Sequence, residues 1–348
     1  VGAGRTGGSH PDVSRRGEEV VSAPPVPSAA VAEVPAPRGG GSRHKGTGPR
    51  RSRDTRAGWS MMAPAAVGLL IFVVVPFVLA GWLSLHNVRL DSPTGPNWLG
   101  LEQYRRVLVD PDFRGAFYRA LVNNLTFTAV VVPLQTGLAL VLALLLNRAL
   151  RGMALFRTFF FMPVVFPMAL VAVVWKVIYA RGDLGMLNAA LDAVTFGAFG
   201  SHDWLGDPRT ALLSIIIMSV WQGAGLQMVI LLAGLQGVDP NLYEAASLDR
   251  AGRWLQFVHV TLPGLRNTLV FVVMTTMILA FRLFDQVYIM TQGGPQESTT
   301  TVMYQAVTTA FDANNVGRAS AITVLFFLVV LVATLVQRRL LREEREVA

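Results

Sequence analysis

The sequence predicts an all-α membrane protein with six transmembrane helices. Three observations carry that expectation. Apolar residues make up 52% of the 348 positions and charged residues only 15%, which is high and low respectively for a soluble domain. The apolar residues gather in runs long enough to cross a hydrocarbon core about 30 Å thick, a task that needs about 20 residues in a helix. The arginines favour alternate connectors, as the positive-inside rule requires. The formal charge of +8 then belongs to basic flanks at a membrane surface, and nucleic acid is not among the expected partners. The sequence has no cysteine, which excludes disulfides, iron–sulfur clusters and thiolate zinc sites.

In chain order, residues 1–57 read as a disordered basic cytoplasmic tail. They are rich in Gly, Pro, Ser, Ala and Arg, and end in Arg50, Arg51, Arg53 and Arg56. Without apolar periodicity such a segment cannot bury enough surface to offset its ordering entropy. The chain opens on Val1, and Met61 or Met62 is an alternative beginning. A membrane domain is expected over residues 58–340.

The first span is expected at 61–85, with Pro64 near its start, Pro76 inside it and Trp82 as an interface residue near its end. It is longer than a secretory signal and lacks a small-residue cleavage site, so it reads as retained. In residues 86–120, Pro93, Gly95 and Pro96 mark a turn. Residues 101–108 then alternate apolar and charged positions at helical spacing, as for a surface helix. The second span, 121–146, opens on Asn123 and Asn124 and contains Pro133. A basic link with Arg148, Arg151 and Arg157 leads to the third, 159–179, with Pro163 and Pro167. A polar loop from 181 to 209 holds Asp183, Asp192, Asp203 and Asp207. The fourth span is 211–235, and a polar stretch fills 236–265. The fifth is 269–290, followed by a Gly293-Gly294-Pro295 loop. The sixth is 319–336, and residues 341–348 form a second tail.

Six spans put both termini on one side. With the N-terminus inside, the cytoplasmic flanks hold Arg148, Arg151, Arg157, Arg253, Arg266 and the arginines from 338 to 345. The loop with Arg89, Arg105, Arg106, Arg114 and Arg119 runs against the rule and is outvoted. The 236–265 stretch is therefore expected to be cytoplasmic.

Local physics predicts a short helix there. Asp239 can cap it, Pro240 suits the first helical position, and Glu244 favours the positive N-terminal end. Ala245 and Ala246, beside Leu242 and Asp249, allow close approach of another surface. Gly252 is expected to take the left-handed geometry that ends the helix. Residues 253–260 form a second short helix that Pro263 stops. Local signals alone fit an ordinary capped connector as well as a docking element.

The spacing goes further. Glu244-Ala245-Ala246, three residues, Arg250, nine residues and Val260-Thr261-Leu262-Pro263 resembles the EAA motif of ABC importer permeases. In that family the pattern is Glu-Ala-Ala, three residues, Gly, nine residues, Ile, one residue, Leu-Pro, placed before the penultimate span on the cytoplasmic side. Arg250 stands in place of Gly, at a steric cost if φ is positive, so the turn is expected to move to Gly252. Trp98-Leu99-Gly100-Leu101-Glu102-Gln103-Tyr104, Thr291-Gln292-Gly293-Gly294-Pro295 and Gly317-Arg318-Ala319-Ser320 resemble the carbohydrate-uptake branch, and its first (F-type) permease in particular.

The resemblance covers about residues 60–340 and implies type I importer architecture with a coupling helix between spans four and five. It implies that Tyr243, Glu244, Ala245, Ala246, Asp249, Gly252, Leu262 and Pro263 meet an ATPase. The implied partners are a second permease in a heterodimer, ATP-hydrolysing subunits, an extracytoplasmic solute-binding protein and membrane lipid. The chain has no Gly-x-x-x-x-Gly-Lys-Ser/Thr loop. It therefore reads as a transport subunit of a bacterial-type cell membrane and not as an enzyme. It has no catalytic or metal site and no cofactor of its own, with ATP and Mg held by the partner.

Two polar groups inside spans are candidates for the solute pathway. Trp221, Gln222 and Gln227 surround Gly223 and Gly225, the look of a broken helix at a binding site or of tight glycine packing between helices. Arg282, Asp285 and Gln286 fall on one face of an uninterrupted fifth helix, as a pathway group or as a structural pair sealing its outer end. Asn123, Asn124 and Gln135 are weaker candidates. An ion-driven secondary transporter is the alternative function, though no internal repeat supports it. A membrane enzyme is disfavoured because none of His10, His44, His86, His202 and His259 lies within a span or pairs with an acid in ligand-like spacing.

Overall fold

A computed structural model describes residues 51–92, 95–148, 151–182 and 185–340, with the side chains of residues 51–58 and 60 outside the description. By its contacts the chain divides into Val1–Met61 and Met62–Ala348. The expected tails at 1–50 and 341–348 lie outside the described residues. Of the first unit only residues 51–61 are described, as helix, and every later element belongs to the second.

Helix α1 (Arg51–Leu69) starts within the stretch expected as a tail, since extending an existing helix adds one bond per residue without a new nucleus. A π turn at Leu70–Val74 joins it to α2 (Val75–Leu83), two residues before the ring of Pro76 would press on the Phe72 carbonyl in an α register. Strands β1 (His86–Asn87) and β2 (Asn97–Trp98) pair antiparallel, His86 opposite Trp98. Helix α3 (Glu102–Leu108) comes next. Helix α4 (Pro111–Leu146) has 36 residues, ten more at its start than the apolar run. Asp110 caps it by accepting from the Asp112 amide, and Pro111 occupies its first turn. At 1.5 Å per residue α4 is about 54 Å long, so its ends pass beyond a bilayer core of about 30 Å.

The third apolar run is not one straight span. Helices α5 (Met153–Val165) and α6 (Met168–Ile178) meet at 98°. Pro167 excludes the helical region for the residue before it, and Phe166 is extended at φ −79°, ψ 139°. The loop after it contains α7 (Met186–Val194), held by the buried Asn188. Asn188 donates to Ala180 O and His202 O and accepts from the His202 amide and the Trp204 indole. Helix α8 (Ala211–Gln236) is continuous. Then come α9 (Pro240–Leu248), α10 (Arg253–Gln256), a second π turn at Phe257–Thr261, α11 (Leu262–Gly264) and α12 (Arg266–Phe281). The segment Arg253–Gly264 meets α12 at 67°. Helix α12 ends at Phe281, and α13 (Asp285–Met290) is separate. Helices α14 (Val302–Phe311), inside the expected loop, and α15 (Val316–Leu340) complete the chain.

Among the described residues four helices are long and apolar enough to cross a membrane, and six spans result if each bent pair counts as one. The core is built on α4, α8 and α12, through Ala139, Ala143, Met228, Leu231 and Val272. Lipid tails are as apolar as these side chains, so close backbone approach and hydrogen bonds hold such helices together. Gly225 is the clearest case: a Cβ there would lie 2.1 Å from Phe160 O on α5. Asn123 donates to Glu297 O and Thr300 O, and Asn124 accepts from the Val302 amide. These two residues moor the loop before α14, which accounts for polar side chains early in an apolar run.

Candidate functional site

The end of α8 and the start of α12 are joined by a small helical assembly. Asp239 Oδ1 accepts from the Asn241 amide at 2.9 Å and Pro240 fills the first turn, as the sequence predicts for the N-terminus of α9. The C-terminus differs from expectation. Arg250 itself takes the left-handed conformation, φ +58°. Its amide donates to Ser247 O at 3.0 Å and the Ala251 amide donates to Ala246 O at 2.9 Å, the pair of bonds that defines a Schellman close. The motif position that usually holds glycine is thus the left-handed residue here too, and arginine bears the steric cost of about 1 kcal/mol. Gly252 does not supply the turn. It is extended at φ −67°, ψ 166° and caps α10, whose Gln256 amide donates to Gly252 O.

Three hydrogen bonds hold α9 and the turn after it against α10 and the second π turn. The Tyr243 hydroxyl lies 3.0 Å from Thr261 Oγ1, Gln256 Nε2 donates to Ser247 Oγ at 3.0 Å, and the same amide nitrogen donates to Ala251 O at 3.1 Å. Nor does Pro263 stop the second helix. The π turn before it relieves the clash its ring would make with His259 O, and the helix runs on to Gly264. Gly264 then packs on Val238, and Gly234 packs on Thr268 and Leu265, so the assembly sits against the end of α8. Its outer surface carries Glu244, Ala245, Asp249 and Pro263, all exposed, with Ala246 and Leu262 half-buried. Beside them stand Leu248 at 81% exposure and Trp254 at 73%. Large apolar side chains exposed beside Glu244 and Asp249 on a polar connector suit a protein partner.

The mid-span candidates do not converge in the same way. Trp221 is exposed and lies 5.5 Å from the Trp175 ring. Gln222 and Gln227 are buried, and Gln227 Nε2 donates to Thr276 Oγ1 on α12, binding two helices together. Helix α8 is not broken at Gly223 and Gly225. Gly223 makes room for the Gln135 side chain and Gly225 for the α5 backbone, so glycine packing accounts for both. Arg282, Asp285 and Gln286 do not share a helical face, because α12 ends between Phe281 and Arg282. Arg282 and Asp285 are exposed, Gln286 is buried, and no ion pair joins Arg282 to Asp285 among the described residues. One group was missed. Lys176, in the third apolar run, donates to Ile289 O at 3.0 Å near the end of α13. As a lysine inside an otherwise apolar run it was visible to the same rule that singled out Arg282.

With four to six candidate spans and a capped helix pair on one connector, the chain is a polytopic helical membrane protein. Residues 135–346 match the model of the family described as binding-protein-dependent transport system inner membrane component, and the chain belongs to that family. It is 33% identical over 294 residues to the trehalose/maltose transport system permease protein MalF of Thermococcus litoralis, covering 84% of this chain and 96% of that one. It is 34% identical over 249 residues to the lactose transport system permease protein LacF of Rhizobium radiobacter, covering 70% and 80%. The fold matches a chain of a bacterial ABC transporter involved in the import of the acidic polysaccharide alginate, with a TM-score of 0.72 at 20% identity over 86% of this chain and all of the other. The architecture is therefore that of an ABC importer permease, a multi-pass inner-membrane component and not in itself an enzyme.

Proposed function

We propose that the chain forms half of the pathway for a sugar or sugar-like solute in an ATP-driven importer, with α9 to α11 as the surface that receives the ATPase. The observation that carries the coupling part is the closed, hydrogen-bonded α9 with its exposed Glu244-Ala245 face, standing directly on the base of α12. The sugar class rests on what the relatives' names say those proteins carry. In this reading ATP and Mg are held by separate subunits, and a second permease and an extracytoplasmic solute-binding protein complete the assembly. Both termini and α9 face the cytoplasm, as the arginine bias favours. Closure of the ATPases displaces α9, and the Tyr243–Thr261 and Gln256–Ser247 contacts pass that displacement to α12 as a rigid-body movement. Nothing in the comparisons supports the ion-driven alternative.

The test is co-purification of the full chain with the ATP-hydrolysing subunits of its own host. Glu244→Lys is expected to abolish capture while membrane insertion stays normal. Capture unaffected by Glu244→Lys, or transport by the chain alone on an ion gradient, would refute the reading.

A further inference from the structure

The loop between α13 and α14 is costly to build. Gln292, Gln296 and Glu297 all hold left-handed backbone conformations, at φ 51°, 51° and 61°, with Gly293 at 80° among them. Each non-glycine residue there is disfavoured by about 1 kcal/mol, and such strain persists only where the surroundings over-determine it. The surroundings do so here. Thr299 Oγ1 donates to Gly294 O, Thr300 Oγ1 to Gly293 O and Asn123 Nδ2 to Glu297 O, while Arg119 pairs with the Glu297 carboxylate at 2.7 Å. Gly293 cannot be replaced without moving Thr300 and the Tyr304 ring, which a Cβ would approach to 2.7 and 2.8 Å.

The rigid loop walls a cleft of about 450 Å³ against α4 and α14. That is within the range of small-molecule sites, about 300–1,000 Å³. Gln292, Gln296, Glu297, Tyr304, Gln305 and Thr308 line it. Burial, then the charge of Asp312 and the neighbouring Tyr288, raise the Tyr304 phenol, which keeps its proton and donates to Gln292 O. Gln305 lines the cleft, and its Oε1 is covered and without a hydrogen-bond partner, so a turn of the side-chain amide would bring it to a ligand hydroxyl. The one carboxylate in the lining is already neutralised by Arg119. Three amides, a phenol and a hydroxyl suit an uncharged, hydroxyl-rich molecule and offer no counter-charge to an ion.

We propose that this cleft, between α4, α14 and the loop before α14, binds one sugar unit apart from the mid-span residues. The inference rests on the sugar-importer reading for its ligand class. It answers why the chain maintains a strained, amide-lined loop outside its spans.

The absence of cysteine makes a specific test possible. Asp312 is exposed on the residue after α14, one turn or about 6 Å beyond Thr308. A spin label on Asp312→Cys, in the full chain in lipid nanodiscs, is expected to raise the proton relaxation rates of added maltose several-fold over its diamagnetic analogue. The same label on Ser247→Cys, in α9, should not. Adding Gln305→Leu or the exposed Gln296→Ala to the Asp312→Cys chain should return maltose relaxation to background. No enhancement with labelled, folded Asp312→Cys chain, or enhancement that survives both substitutions, overturns the proposal. ATPase capture is read separately, so a chain that binds its ATPase but shows no enhancement loses the cleft and keeps the importer reading.

Discussion

The hydroxyl of Tyr243, in the middle of α9, meets Oγ1 of Thr261, at the foot of the fifth span, across 3.0 Å. Thr261 is buried and retains a second, longer bond to Gln256 O at 3.4 Å. The contact is thus a direct tie between the proposed docking helix and the span it would move.

Tyr243→Phe removes that tie and little else. One neutral hydrogen bond contributes about 1 kcal/mol, equivalent to about a five-fold change in an equilibrium. The assembled importer is expected to hydrolyse ATP at near wild-type rates while solute carried per ATP falls by about that factor. Paired ATPase and uptake measurements in proteoliposomes read the ratio, and an unchanged ratio would remove Tyr243 from the transmission path.

Arg250→Gly relieves a left-handed arginine and should stabilise the end of α9 by about 1 kcal/mol. Gly252→Ala should leave the end of α9 unchanged, because Gly252 has an ordinary φ and a Cβ there meets nothing within 4 Å; its cost, about 1 kcal/mol or less, falls on the cap of α10. Amide exchange in α9, followed by mass spectrometry, distinguishes them. Slower exchange is expected for the first and no change for the second. The opposite ranking would return the turn to Gly252.

Gly225→Ala forces a methyl against Phe160 O and must push α5 from α8, at a cost of about 2 kcal/mol or more. Gly223→Ala first meets the side chain of Gln135, which can swing aside, and should cost less. Thermal unfolding of the purified chain in detergent gives the comparison. Equal loss at the two positions would count against backbone packing as the reason for Gly225.

Lys176→Met preserves side-chain length and removes the donor to Ile289 O, freeing the end of α13 by about 1 kcal/mol. Exchange of the α13 amides should rise about five-fold, and Lys176→Arg should restore much of the protection. Protection unchanged in both variants would make the contact incidental.

Much of the architecture is legible in the chain itself because hydrophobic run length is so strong a signal. Each expected span finds helix at its centre, and Asp239-Pro240 marks the start of α9 to the residue. The bends are legible only in part. Pro167 marks where α5 and α6 part, but their angle of 98° has no signal in the residues at the break. The end of α12 at Phe281 has no proline or glycine to announce it, so a face drawn through Arg282, Asp285 and Gln286 assumed a periodicity that stops. The close of α9 was misplaced for a different reason. Residue preference favours Gly252, whereas the two amide bonds to Ser247 O and Ala246 O fix the left-handed residue at 250 whatever side chain stands there.

The π turn at Phe257–Thr261 sets the phase between the proposed docking surface and the fifth span. Each residue of a helix advances the face by about 100°. Removing one residue from this turn would restore an α register and drive the ring of Pro263 onto the carbonyl four residues before it. It would also rotate everything before it, α9 included, by about that angle relative to α12. The extra residue works as an alignment key, and a chain that lost it would present the wrong side of α9 to its partner while keeping every span intact.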